Sequence, residues 1–94
     1  MTASTLINGT EVRNEHTATG NRLVCQVEGN LDGCRIELKQ RNALGVESGF
    51  DDPDGKNIRG TGIRDLTVGS GTVVYPEFNG GRVAGNITVT ITDA

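Results

Sequence analysis

A chain of 94 residues suffices for one domain, and its 23 Leu, Ile, Val and Phe residues exceed the share below which disorder is the default. A net charge of −3 is too small to force expansion, and 14 glycines without a Gly-X-Y period exclude collagen. Nine dispersed Lys and Arg residues and three aromatics form no basic stripe, which argues against nucleic acid; apolar runs of at most three residues exclude a helical membrane span.

The start, Met1-Thr2-Ala3-Ser4-Thr5, has neither a basic nor an apolar leader region, so no secretory signal is expected; the chain is expected to be made in the cytoplasm and either to act there or to leave by cell lysis or in another assembly. Leu6-Ile7 and Glu11-Val12-Arg13 can pair. Residues 1–13 are expected to form an N-terminal arm that adds to a partner's sheet edge, with Leu6, Ile7, Val12 and Arg13 as contacts. Residues 14–94 are expected to be the folded domain. Residues 14–21 are polar and read as a loop.

From residue 22 onward the pattern has a period of two. Leu23, Cys25 and Val27 alternate with Arg22, Gln26 and Glu28, and Cys34, Ile36 and Leu38 alternate with Arg35, Glu37 and Lys39. The turn Gly29-Asn30-Leu31-Asp32-Gly33 joins these two strands as a hairpin. Weaker strands follow at Ile58, at residues 63–68 and at Thr72-Val73-Val74-Tyr75, where Pro76 marks an edge or a strand end. After the turn Asn79-Gly80-Gly81, Ile87, Val89 and Ile91 alternate with Thr88, Thr90 and Thr92. One wet face per strand means antiparallel pairing. The fold predicted is an all-β, single antiparallel β-sandwich, immunoglobulin-like or jelly-roll-like, of seven or eight short strands.

Hairpin pairing sets the fate of the cysteines. A four-residue loop would oppose Val27 to Cys34 and Cys25 to Ile36, which leaves Cys25 and Cys34 as diagonal neighbours about 7 Å apart. A disulfide needs roughly 3.5–4.5 Å between Cβ atoms, so two buried thiols are expected.

No group of residues carries recognisable chemistry. The single histidine, His16, lies in the polar loop and reads as solvated; Ser4, Ser48 and Ser70 lack a nucleophile elbow. In Asp51-Asp52-Pro53-Asp54-Gly55 the EF-hand frame fails, since Gly55 at position 6 puts Phe50 at position 1 and Thr61 at position 12. That loop reads as a solvated turn with Gly55 at positive φ, and a calcium site of another type is the alternative. Gly69-Ser70-Gly71 lacks a third glycine and a following helix, so it is a turn rather than a phosphate cradle. Phe50, Tyr75 and Phe78 read as core or as the rim of a protein interface. No catalytic group, cofactor or metal is expected, and the chain is not expected to be an enzyme.

Three stretches resemble a known group of proteins. Val27-Glu28-Gly29-Asn30-Leu31-Asp32-Gly33-Cys34-Arg35-Ile36-Glu37-Leu38 is similar to a strand-turn-strand unit of small structural proteins of tailed bacteriophage virions. Gly69-Ser70-Gly71-Thr72-Val73-Val74 and Asn86-Ile87-Thr88-Val89-Thr90-Ile91-Thr92 resemble their closing strands. The likeness spans about half the chain. A Trp that often follows the second strand is lacking, and Phe50 stands in that region. The resemblance implies a non-enzymatic virion component of capsid-decoration (cement) or head-fibre type that stabilises the capsid surface by bridging subunits. Its expected partners are the major capsid protein or another virion protein, and its expected state is a homotrimer, with neither nucleic acid nor membrane bound. A tail-associated virion protein, or an adhesin-type module for glycans or a host surface, is the alternative.

Overall fold

Period-two patterning yields strands wherever it is legible. The computed structural model describes residues 1–51, 53–80 and 86–94, with the backbone alone for Pro53 and Asp54. The strands are β1 (Thr2–Ile7), β2 (Thr10–Val12), β3 (His16–Thr17), β4 (Arg22–Asn30), β5 (Arg35–Arg41), β6 (Glu47–Gly49), β7 (Gly62–Thr67), β8 (Val73–Asn79) and β9 (Asn86–Asp93). One helical turn, α1 (Pro53–Lys56), interrupts them. Two sheets form, ordered β2-β1-β9-β4-β7 and β3-β8-β5-β6, and every pairing is antiparallel. This is the all-β sandwich that the alternation predicts. Among the described residues no helix is long and apolar enough to cross a membrane.

The core lies between the sheets. Leu23, Cys25 and Val27 of β4 and Ile87, Val89 and Ile91 of β9 face it from one side; Ile36 and Leu38 of β5 and Val74 of β8 face it from the other. Burying a side chain of this size stabilises by about 1.5–3 kcal/mol, and such residues supply most of the driving force.

The hairpin expected at residues 22–40 does not exist. β4 pairs with β9 and β7, β5 with β8 and β6, so the turn between them carries the chain from one sheet to the other. Leu31 and Cys34 are both buried, and the Cys34 amide donates to the Leu31 carbonyl at 2.8 Å. A connection with two apolar ends is held at the core margin, where it cannot close a flat hairpin. Cys25 on β4 and Cys34 just before β5 are buried thiols as expected, although not as neighbours in one hairpin.

Burial pushes the Cys25 thiol up to about 11. Unfolded thiols ionise near pH 9, so this group's share of stability is complete below that and is lost between about pH 9 and 11. At neutral pH a maleimide is expected to leave native protein unmodified and to label both cysteines after denaturation without reductant. Rapid native labelling of Cys25 would contradict its burial.

Two local readings are corrected. Residues 14–21 are not all loop: His16 and Thr17 pair with Val74 and Val73, and His16 is only 6% exposed. Gly55 belongs to α1 rather than to a positive-φ turn; a Cβ there would stand 2.8 Å from Phe50 Cβ, so its smallness serves packing. A calcium site in the acidic loop would depend on Asp52 and the side chain of Asp54, which lie outside the described residues. The turn expected at Asn79-Gly80-Gly81 likewise runs outside them from residue 81.

Pro76 sits inside β8, opposite Leu38. β3 covers only Val73 and Val74, so at Pro76 the far side of β8 is an open edge and no ladder bond is lost.

Candidate functional site

Strand alternation that buries Ile36, Leu38 and Val74 sends their neighbours to the outer face of the four-stranded sheet. On β5 these are Arg35, Glu37, Lys39 and Arg41; on β8 they include Tyr75 and Glu77, and on β6 Glu47. Register sets Lys39 opposite Tyr75, Arg41 opposite Glu47, and Glu37 opposite Glu77.

Residues just past β2 reach across to this face. The Arg13 guanidinium lies 5.0 Å from the centre of the Tyr75 ring, and that of Arg41 lies 5.9 Å from it, both within cation–π range. Arg41 also donates to both carboxylate oxygens of Glu15 at 3.0 and 2.7 Å. That pairing holds the Glu15 carboxyl below its usual range. The Tyr75 hydroxyl donates to Glu47. Desolvation first, then this bond, pushes the phenol up to about 12. Tyr75 is 4% exposed despite its place on an outer face, because these charged side chains cover it.

A shallow cleft of about 360 Å³ opens here, lined by Arg13, Lys39, Glu47, Ser48, Tyr75 and Glu77. Beside it, the β5–β6 hairpin ends in a rigid tip. Asn42 Oδ1 accepts the amides of Leu44 at 2.9 Å and Val46 at 3.0 Å, while the Gly45 amide donates to the Asn42 carbonyl at 2.9 Å. This turn holds Leu44 at 88% and Val46 at 59% exposure.

A second polar cluster joins β1, β3 and β9. Thr2 Oγ1 lies 2.8 Å from His16 Nδ1, and His16 Nε2 lies 3.2 Å from Asp93 Oδ2. An ionised carboxylate only accepts, so Nε2–H donates to Asp93 and, in the neutral imidazole, Nδ1 accepts from the Thr2 hydroxyl. The Thr19 amide donates to Asp93 Oδ1 and, with His16, keeps that carboxyl below its usual range. Hydroxyl, imidazole and carboxylate in a row are the group types of nucleophilic catalysis. Here the imidazole is buried and the row spans both sheets, so the cluster ties the sandwich together at one end. The expectation of a solvated His16 failed because its partners lie 14 and 77 residues away.

The seven expected contact residues divide. Leu6 and Phe50 are core residues at 6% exposure and present no surface. Phe78 points inward and packs against the core while half-buried. Ile7 and Val12 are exposed on β1 and on the sheet edge β2. Arg13 and Tyr75 meet at the cleft. Residues 2–7 and 10–12 are integral strands of the domain: β1 lies between β2 and β9, paired with β9 from Thr2 to Ile7. Leu44 and Val46 went unnoticed in the sequence; the available signal was two large apolar residues inside Asn42-Ala43-Leu44-Gly45-Val46, a turn composition.

Among the described residues no three His, Cys, Asp or Glu side chains are grouped to hold a metal ion. No protein-family model, curated protein or solved structure matches this chain.

Proposed function

We propose that this protein is a non-enzymatic structural component of a phage virion, which decorates the capsid and bridges neighbouring capsid subunits as a homotrimer. The observation that carries the reading is the Leu44 tip standing beside the Arg13–Tyr75–Arg41 face. Arg and Tyr are enriched among residues that dominate binding energy, and an apolar anchor next to a polar rim is the anatomy of a protein interface. Side chains and turn are held in place before any partner arrives, which lowers the ordering cost of association. Exposed Ile7 on β1 and Val12 on the β2 edge of the opposite sheet are left for contacts between copies, and identical copies that touch one another usually adopt closed symmetry. The resemblance to virion structural proteins supplies the partner.

The adhesin alternative has no observation in its favour. A sugar needs an open aromatic face, and the Tyr75 ring already has two guanidinium groups packed against it.

Wild-type protein is expected to sediment as a trimer and to pellet with capsids of the phage that encodes it. Leu44→Asp is expected to lower its occupancy on capsids at least tenfold while leaving the β-sheet spectrum unchanged; tenfold corresponds to about 1.4 kcal/mol. Protein that ignores capsids and binds a glycan array instead would replace this reading with the adhesin one, and pelleting with tails alone would move the protein to the tail.

A further inference from the structure

The charges lining the Tyr75 cleft are not all matched. Glu37 has Lys39 at 3.4 Å and Arg35 at 3.7 Å, and Arg41 has Glu15. Glu77 has no cation within ion-pair distance among the described residues, yet register sets it directly opposite Glu37. Like charges directly opposite on paired strands are destabilising. Arg13 covers the Tyr75 ring but makes no ion pair or hydrogen bond among the described residues, so its five N–H donors lack a protein acceptor there. One cation and one carboxylate, neither of them in an ion pair among the described residues, therefore line the same cleft. A volume of about 360 Å³ falls in the range of roughly 300–1,000 Å³ used for ligand sites.

We propose that this cleft receives a zwitterionic segment of a partner protein, one that presents a carboxylate to Arg13 and an ammonium or guanidinium group to Glu77. A purely anionic ligand would leave Glu77 unrelieved and bring a third negative charge beside Glu47. A purely cationic one would face Arg13 and Lys39. Only a ligand with both signs answers both walls. The guanidinium suits a bidentate carboxylate, which fixes the orientation of the segment as well as its presence. The inference rests on the reading of this face as a protein interface and adds the chemistry of what it meets.

The test follows amide chemical shifts of the whole protein while a short peptide, blocked at both ends and containing Asp and Lys, is titrated in. Shifts are expected at Arg13, Lys39, Ser48, Tyr75 and Glu77. Arg13→Gln and Glu77→Gln are each expected to weaken binding about tenfold or more, and binding should fade as salt shortens the screening length. A matched peptide with Asn and Gln in place of Asp and Lys is expected to leave the shifts unmoved. Equal shifts with that neutral peptide, or none with the charged one, would overturn the proposal. A free amino acid binding as tightly as the blocked peptide would also overturn it, since the site would then be one for a small zwitterion. Capsid binding separates the two levels. Occupancy unchanged in Arg13→Gln and Glu77→Gln but lost in Leu44→Asp would sink the zwitterion site alone, whereas peptide binding without capsid binding would keep the site and remove the virion partner.

Discussion

Gly29→Ala is expected to destabilise the protein by roughly 2–4 kcal/mol, comparable to a large core truncation. Gly29 has φ +102°, a conformation that L side chains rarely adopt and that costs on the order of 1–3 kcal/mol when forced. Space is the second obstacle. A Cβ on Gly29 would stand 1.9 Å from the Asn86 carbonyl oxygen and 3.3 Å from Ile87 Cα, both backbone atoms of the neighbouring strand. Relief requires β9 to move away from β4 near the end of a register that runs from Leu23–Asp93 to Asn30–Asn86. Urea unfolding of the variant should show a lower midpoint with little change in slope. A loss under about 1 kcal/mol would mean that β4 and β9 already separate before Gly29.

Ile36→Ala is the second large effect, with an expected loss of about 2–4 kcal/mol against a total stability of roughly 5–14 kcal/mol for a chain of this length. The Ile36 side chain is fully buried, and its backbone exchanges hydrogen bonds with Ile58 at 2.8 and 2.9 Å. That bridge holds the segment between α1 and β7 against β5 of the four-stranded sheet. Truncation therefore leaves a cavity whose walls include backbone tied in place, and such walls collapse poorly. Ile36→Val, which removes one methylene, should cost only about 0.5–1.5 kcal/mol. If the two variants lost the same amount, the cost would lie in backbone distortion rather than in the cavity.

Strand alternation explains how much of the fold could be read in advance. Leu23/Cys25/Val27, Ile36/Leu38 and Ile87/Val89/Ile91 are buried as their period-two spacing requires, and Thr88, Thr90 and Thr92 face outward. The Leu6-Ile7 with Glu11-Val12 pairing also holds, with Leu6 opposite Glu11. Site residues were harder. Arg13 and Tyr75 were both named as contacts, yet nothing local says that they meet, because they lie 62 residues apart, Arg13 just past β2 of one sheet and Tyr75 on β8 of the other.

What the sequence by itself determined is the set of strands, their wet and dry faces, and hence a two-layer antiparallel fold. Periodicity along one strand is a local property and states which side of it faces a core. Partner choice is not local. Whether residues 29–33 close a hairpin or cross between sheets depends on which neighbours Leu31 and Cys34 find, and only the assembled core answers that. His16 shows the same division: a polar loop sequence around it is compatible with solvent, and burial came from Thr2 and Asp93 arriving on β1 and β9. The cleft follows from register too, since a shift of one residue would point Tyr75 and Glu77 into the core and Val74 and Pro76 out of it.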